Sequence, residues 1–259
     1  NCPGKTLVCV GGGLLGLEIA GALAGRGVHI TVLENQAWLM PRQLNQRAAR
    51  VFQGFVESLG ITILSNVKVK ELTGDGLAQR VVFEDGGSLP VENVIFSTGV
   101  RANSAAAAQS GLAVKNAILV DDAMRASQGD VYAAGDAAEH AGVLYGTWVP
   151  AQTQGTVAGT VAAGGSAAFR ALPRSTTLKV LGIDLFSIGE TSGERQIESE
   201  GPNQYTGFFF REGILTGAIL LGDASASAAV KKAVENHLDC GGLLAKNPTA
   251  AEISAYLQR

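Results

Sequence analysis

The sequence predicts an α/β protein in which a parallel-strand half carrying an inserted antiparallel meander gives way to an antiparallel α+β portion. Three observations carry that prediction. Residues 6–10 form a short apolar run that enters Gly11-Gly12-Gly13-Leu14-Leu15-Gly16, and a stretch rich in small residues follows to Ala24. A second apolar run, 28–33, ends on Glu34. From about residue 171 the pattern changes to longer β-type runs joined by short turns, with helical periodicity only near the end.

The first 34 residues read in order as strand, glycine turn, helix and strand. Gly11 suits the tight strand-to-helix turn, Gly13 lets a backbone approach a pyrophosphate, and Gly16 lets helix and sheet pack closely. The amides at Leu14 and Leu15 open the helix, whose N-terminus offers unpaired N–H groups and about half a positive charge to phosphates. Gly25 and Gly27 stop the helix. Glu34 stands roughly 20 residues after the glycines, where a carboxylate accepts hydrogen bonds from an adenosine ribose. This is a Rossmann-like unit, and it predicts dinucleotide binding. The alternatives are a glycine turn serving packing alone and a solvated carboxylate at a strand end. Glu34 favours a free 2′-hydroxyl over a 2′-phosphate. Asn35, Gln36 and Ala37 follow it, and Arg42 lies beyond a proline, so NAD is expected over NADP.

The remaining elements follow from local pattern. Residues 37–41 read as a loop and 44–59 as an amphipathic helix, with Leu44, Ala48, Val51, Phe55 and Leu59 at helical spacing. Residues 61–64 form a short strand. The segments 67–72, 80–83 and that near Leu89, with Gly-Asp and Asp-Gly turns, predict the meander. Strands are expected at 92–97, 117–120 and 130–134, and a tightly packed helix at 147–163, ended by Gly164-Gly165. Later strands are expected at 179–188, 205–211 and 214–221, the last two joined by Glu212-Gly213. Residues 226–238 read as a helix, and Thr249 with Glu252 form a capping-box pattern for a final one.

Composition excludes several classes. A chain of 259 residues with 46% hydrophobic residues buries a core large enough for more than one domain. A formal net charge of −3 gives no electrostatic footprint for nucleic acid, and no apolar run is long enough for a bilayer span. The chain opens on Asn1 rather than Met, which reads as a cut at a domain junction, and no signal-peptide pattern is expected there. Cys2, Cys9 and Cys240 are far apart and odd in number, which argues for a reducing, cytoplasmic setting and against a metal site or an internal redox disulfide. Cys9 is expected to be a small buried hydrophobe, and Cys2 exposed. His29, His140 and His237 have no ligand spacing.

Four stretches together resemble the pyridine nucleotide-disulfide oxidoreductase superfamily, in particular its NADH:rubredoxin reductases and the flavoprotein region of NAD(P)H nitrite reductase large subunits. They are Gly11 to Glu34 with Glu18, the loop Leu39-Met-Pro-Arg-Gln-Leu44, the run Ser97-Thr-Gly-Val-Arg-Ala-Asn103, and the segment Val131-Tyr-Ala-Ala-Gly-Asp136 with Thr147-Trp-Val-Pro-Ala-Gln-Thr-Gln-Gly155. Residues 178–187 and 220–224 are similar to the family's interface domain. The resemblance implies an NAD-binding domain at 1–103, the C-terminal half of an FAD-binding domain at 104–168 and an interface domain at 169–259. The family's FAD-binding strand with its own glycine fingerprint has no counterpart in this sequence. A companion segment or chain is therefore expected to complete the flavin site.

The resemblance further implies FAD and NAD as cofactors and hydride transfer from NADH to flavin, with no acid–base side chain required and a redox protein or small molecule as acceptor. A homodimer is a further expectation. Asp136 and Gly135 would meet the flavin's ribityl or pyrophosphate region; the alternative for Asp136 is a helix N-cap before Ala137-Ala138. Trp148 would lie near the isoalloxazine edge or serve packing, and Gln152 would bond flavin or neighbouring backbone. Glu18 would face the nicotinamide amide or simply complement the helix dipole. Gly99 would admit NAD closely or end a strand, and Arg42 is a candidate cofactor contact in the loop after the second strand.

Overall fold

The computed structural model describes residues 5–259, so Asn1 and Cys2 lie outside the described residues. In chain order the elements begin β1 (Thr6–Val10), α1 (Leu14–Ala24), β2 (His29–Leu33), α2 (Gln46–Ser58) and β3 (Ile61–Leu64). The meander β4 (Val69–Thr73), β5 (Arg80–Phe83) and β6 (Ser88–Pro90) leads into β7 (Asn93–Phe96). Next come α3 (Ala105–Gln109), β8 (Ile118–Val120), β9 (Ala138–His140) and α4 (Trp148–Ala162). The antiparallel portion holds β10 (Ser175–Val180), β11 (Ile183–Gly189), β12 (Arg195–Gly201), β13 (Gln204–Arg211) and β14 (Ile214–Leu221). Helices α5 (Ser227–Glu235), α6 (Gly241–Leu244) and α7 (Ala250–Leu257) close the chain.

These elements form two compact units. One joins the residues up to Thr98 with Pro173–Arg259; the other is Gly99–Leu172. In the first, a parallel sheet of order β3-β2-β1-β7 puts Cys9 opposite Val32 on one side and Ile95 on the other. One sheet face packs on α1 and α2 through Leu17, Ala20, Phe52 and Val56. The other is covered by the meander through Val81, Phe83 and Val91. Two-sided burial explains why these strands read as continuous apolar runs.

The five-stranded antiparallel sheet, of order β10-β11-β14-β13-β12, is also covered on both faces. Alternation sends Tyr205 and Phe209 of β13 toward α1 and α2, while Phe208 and Phe210 face α5 and α7. On β14, Ile219 and Leu221 take the first face and Ala218 and Leu220 the second. A register shift near Phe210, which pairs with Leu215 while Phe209 pairs with Gly217, reverses the parity and returns Leu215 to the second face.

Three sequence expectations are corrected. Residues 179–188 are not one strand: Leu181 (φ 54°) and Gly182 (φ 91°) reverse the chain between β10 and β11. Two positive-φ residues make the turn that matches strand twist, and only Gly182 signalled it. Leu181 is held there by packing: its side chain occupies the place a Cβ on Gly21 of α1 would take. Residues 130–134 form no strand: Asp130 lies in a turn, Tyr132 makes a single bridge to Arg125, and Ala134 is extended. A strand exists only through its neighbours, and the described residues provide it no ladder. No helix follows Asp136 either; a single 3₁₀ turn, Gly135–Ala137, runs straight into β9, which removes the N-cap alternative. β9, β12, α3 and α6 were not expected from the sequence.

The second unit has a small core of Met124, Val157, Val161 and Phe169 beneath the parallel pair β8–β9. His140 is buried, its Nε2 lies 2.8 Å from Asp122 Oδ1, and its ring meets Phe169 edge-on. Among the described residues no helix is long and apolar enough to cross a membrane.

Cys9 matches its expectation as a buried small side chain, its Sγ 3.5 Å from the Gly16 carbonyl oxygen. Burial disfavours the thiolate and pushes the thiol from its ordinary value of 9.0 up to about 11. The neutral thiol is thus favoured by the fold, a contribution fully present below pH 9.0 and lost as pH rises through about 11. Iodoacetamide at pH 8 should leave the Cys9 peptide unmodified in the native protein and label it in urea, as read by mass spectrometry; equal labelling in both would refute this burial.

Candidate functional site: a glycine turn closed by a buried carboxylate

The site is built where β1 ends. Gly11 (φ 114°) donates its amide to the Leu33 carbonyl at 2.8 Å, tying the turn to the end of β2. A Cβ there would collide with the Ser97 carbonyl. Gly16 is equally constrained, since its Cβ would strike the Gly11 carbonyl oxygen. The same Cβ would also crowd the Cys9 sulfur of β1, so Gly16 packs tightly against both the turn and the strand.

Gly13 differs. A Cβ on it would meet nothing within 4 Å, so the turn is open at the position expected to face a pyrophosphate. It is the N-cap residue of α1, and no side chain caps the helix. The first-turn amides at Leu14 and Leu15 thus keep their attraction for an anion. The Leu15 side chain is exposed.

Glu34 is 7% exposed, and both its oxygens are engaged. Oε2 accepts from the Gly12 amide at 2.9 Å and Oε1 from the Gln36 amide at 2.8 Å. A carboxylate has about four lone-pair sites, so two remain for ribose hydroxyls. Gly12, which the sequence reading passed over, is the hub. Its amide holds Glu34, its carbonyl accepts from the Met40 amide at 3.2 Å, and a Cβ on it would crowd Leu39 and Glu34. The only sequence signal for Gly12 was its place as the middle glycine of the run Gly11-Gly12-Gly13.

Glu18, one turn into α1, accepts from the Leu181 amide at 3.3 Å through Oε1. Arg42 is exposed on the loop between β2 and α2. Gly11, Gly13, Gly16, Glu18 and Glu34 therefore belong to the first compact unit.

Gly99, Gly135, Asp136, Trp148 and Gln152 belong to the second unit. Gly99 is exposed and crowded by nothing within 4 Å. Gly135 (φ 73°) makes a conformation that glycine adopts without cost, and its amide donates at 2.8 Å to Oε1 of Gln154 on α4. Asp136 is exposed in that turn, Trp148 is 81% exposed at the start of α4, and Gln152 is exposed one turn on. Gln154, not singled out in the sequence, is the glutamine that fixes the Gly135 turn. Its buried Nε2 has no hydrogen-bond partner among the described residues. No cluster of His, Cys, Asp and Glu able to hold a metal ion occurs among them.

A parallel sheet with a glycine turn, a three-stranded meander and a five-stranded antiparallel sheet define a mixed α/β protein of the flavoprotein reductase type. A family profile described as pyridine nucleotide-disulphide oxidoreductase matches residues 2–155, and one described as rubredoxin NAD+ reductase C-terminal domain matches residues 175–238. The chain belongs to the pyridine nucleotide-disulphide oxidoreductase family. It is 32% identical over 259 residues to the nitrite reductase (NADH) large subunit of Escherichia coli, covering 95% of this chain and 30% of that protein. To the NADH-rubredoxin oxidoreductase of Clostridium acetobutylicum it is 30% identical over 236 residues, covering 90% and 59%. The solved structure of that organism's NADH:rubredoxin oxidoreductase superposes with a TM-score of 0.71 at 27% identity, over 95% of this chain and 63% of that one. The putidaredoxin reductase–putidaredoxin complex gives 0.82 at 22% identity over 99% and 64%, a likeness of fold. The chain therefore spans only part of the length of these relatives.

The two neighbouring glycines should separate folding from binding. Gly12→Ala forces a Cβ onto Leu39 and Glu34 and should cost about 1–3 kcal/mol in urea denaturation. Gly13→Ala, at φ −85° with open space, should leave stability within about 0.5 kcal/mol. If the open turn receives a pyrophosphate, as the sequence leads one to expect, the added methyl group should nevertheless weaken NADH binding about tenfold. A stable Gly12→Ala, or a Gly13→Ala that binds NADH normally, would contradict this division.

Proposed function

We propose that this chain is the NAD-binding portion of an FAD-dependent NADH:acceptor oxidoreductase, with residues 1–103 as the nucleotide domain, 104–168 as one side of the flavin site and 169–259 as an interface domain. The observation that carries the reading is the closed Gly12–Glu34 contact beside the open Gly13 and the uncapped start of α1. The first-turn amides bind the pyrophosphate, and the remaining lone pairs of Glu34 accept the ribose hydroxyls. The same carboxylate repels a 2′-phosphate, which selects NADH. Glu18, through the oxygen not engaged by Leu181, is positioned on α1 to accept from the nicotinamide amide.

The residues of the second unit fit one side of an FAD. The Gly135 turn is held open by its positive φ and by Gln154, whose buried Nε2 is left to donate, and Asp136 is exposed beside it. When bound, FAD supplies the ring that accepts the hydride of NADH and passes electrons onward. Asp136 and the Gly135 turn orient its ribityl–pyrophosphate portion, Trp148 shields the ring edge from water, and Gln152 adds a polar contact. Electron acceptance by a small redox protein is consistent with the relatives named for rubredoxin and putidaredoxin.

The 259-residue chain by itself should bind NADH at least about tenfold more tightly than NADPH, the equivalent of about 1.4 kcal/mol. It should show little flavin absorbance and little NADH oxidation with added FAD, because residues 130–134 lack the sheet partners that would shape the rest of the flavin site. Titration with both nucleotides and a visible spectrum before and after NADH check this. Robust turnover by the isolated chain with FAD would overturn the need for further residues, and equal affinity for NADPH would overturn the role of Glu34.

A further inference from the structure

The loop joining β2 to α2 is gripped at both ends. At its inner end Met40, at φ 51° and 1% exposed, donates its amide to the Gly12 carbonyl. The Met40 carbonyl in turn accepts from the Gln43 and Leu44 amides, each at 2.9 Å. At its outer end the loop is held by the antiparallel sheet. Ser187 of β11, 5% exposed, donates its hydroxyl to the Gln43 carbonyl at 2.7 Å. Asn45, whose Oδ1 caps α2 through the Ala48 amide, donates Nδ2 to the Tyr205 hydroxyl at 2.8 Å and to Glu198 at 3.1 Å. Tyr205, with no exposed surface, donates that hydroxyl to Glu198, which also pairs with Arg47.

A non-glycine residue at positive φ costs of order 1–3 kcal/mol and persists where its surroundings over-determine it. Here the surroundings are the sheet contacts at Gln43 and Asn45. A continuous run of hydrogen bonds therefore leads from Ser187, through Gln43 and Met40, to Gly12 and from Gly12 to Glu34. Tyr205 joins it one covalent step away, by holding Asn45 next to Leu44, whose amide also bonds the Met40 carbonyl. We propose that Ser187 and Tyr205 are positioning residues of the nucleotide site, holding the β2–α2 loop on Gly12 so that Glu34 presents its carboxylate to the adenosine ribose. This rests on the reading of Glu34 as a ribose ligand. It assigns to the antiparallel sheet a part in nucleotide affinity that is separate from any role as an interface.

The test compares Ser187→Ala and Tyr205→Phe with the unsubstituted 259-residue chain and with Ile253→Val, which trims the core on the opposite face of the sheet. Calorimetric titration uses ADP-ribose, which carries the adenosine end and lacks nicotinamide. Each lock variant should bind it about threefold to tenfold more weakly, the equivalent of one hydrogen bond, while Ile253→Val loses stability and keeps affinity. Hydrogen exchange reads the lock without any ligand: the Gly12 and Met40 amides should exchange at least about threefold faster in the lock variants and unchanged in Ile253→Val. Folded lock variants with normal affinity and normal exchange overturn the proposal. Faster exchange with no binding of ADP-ribose by any form, including the unsubstituted chain, would retain the lock as a structural element and overturn both its role in binding and the ribose reading.

Discussion

The structure of the first unit depends on a carboxylate that is nearly out of water. A buried carboxyl group such as that of Glu34 is costly unless its oxygens are hydrogen-bonded, and among the described residues two backbone amides, Gly12 and Gln36, donate to it. Meeting that demand draws the end of β2 onto the glycine turn and leaves no room for a side chain at Gly12. It also brings Leu39 and Met40 over the same glycine, so the loop, the turn and the two strands are fixed by one electrostatic requirement. On the proposed reading, a nucleotide would meet a surface whose turn, loop and strands are already fixed. Preorganisation of this kind spares the ordering cost that otherwise subtracts from affinity.

Much of the parallel half was legible because its signals are local. Apolar runs, glycine turns and an acidic strand end lie within 34 residues, and β1, α1 and β2 form where those signals stand. The capping box at Thr249 and Glu252 was equally local and is present with both of its hydrogen bonds. What could not be read depends on partners far along the chain. Gly12 is unremarkable until Glu34 and Leu39 are folded against it. The reversal at Leu181-Gly182 lacked an Asn-Gly signal, because the strain at Leu181 is offset by packing on α1, 160 positions earlier (Leu181 against Gly21). The edge strand β12, with three charged residues among its seven and Ile197 as its one large apolar side chain, has little of the apolar alternation that marks a strand.

The second unit shows the reverse case, a strand-like sequence that enters no sheet among the described residues. Val131, Tyr132, Ala133 and Ala134 have the residue types of a strand, yet sheet membership is a property of pairs, and only Tyr132 makes a bridge. Its turn is nonetheless well defined, because Gln154 reaches it from α4. Gly135, Asp136, Trp148 and Gln152 therefore stand on a local scaffold of one turn and one helix. The glycine turn and Glu34 stand on the parallel sheet, and the loop over them is held by the antiparallel one.

The notch at Gly21 carries a consequence for how such proteins can be recombined. Leu181 fills a space that exists because α1 has no side chain there, and Glu18 holds the same turn by its backbone. Helix and hairpin thus form a matched lock and key encoded 160 positions apart. A chimera that imports the N-terminal nucleotide module from a relative while keeping the native C-terminal sheet would join unmatched halves wherever that relative has a bulkier residue at the notch. The workable seam for domain grafting runs around the first unit as a whole, at Thr98 and Pro173, rather than between its two sheets.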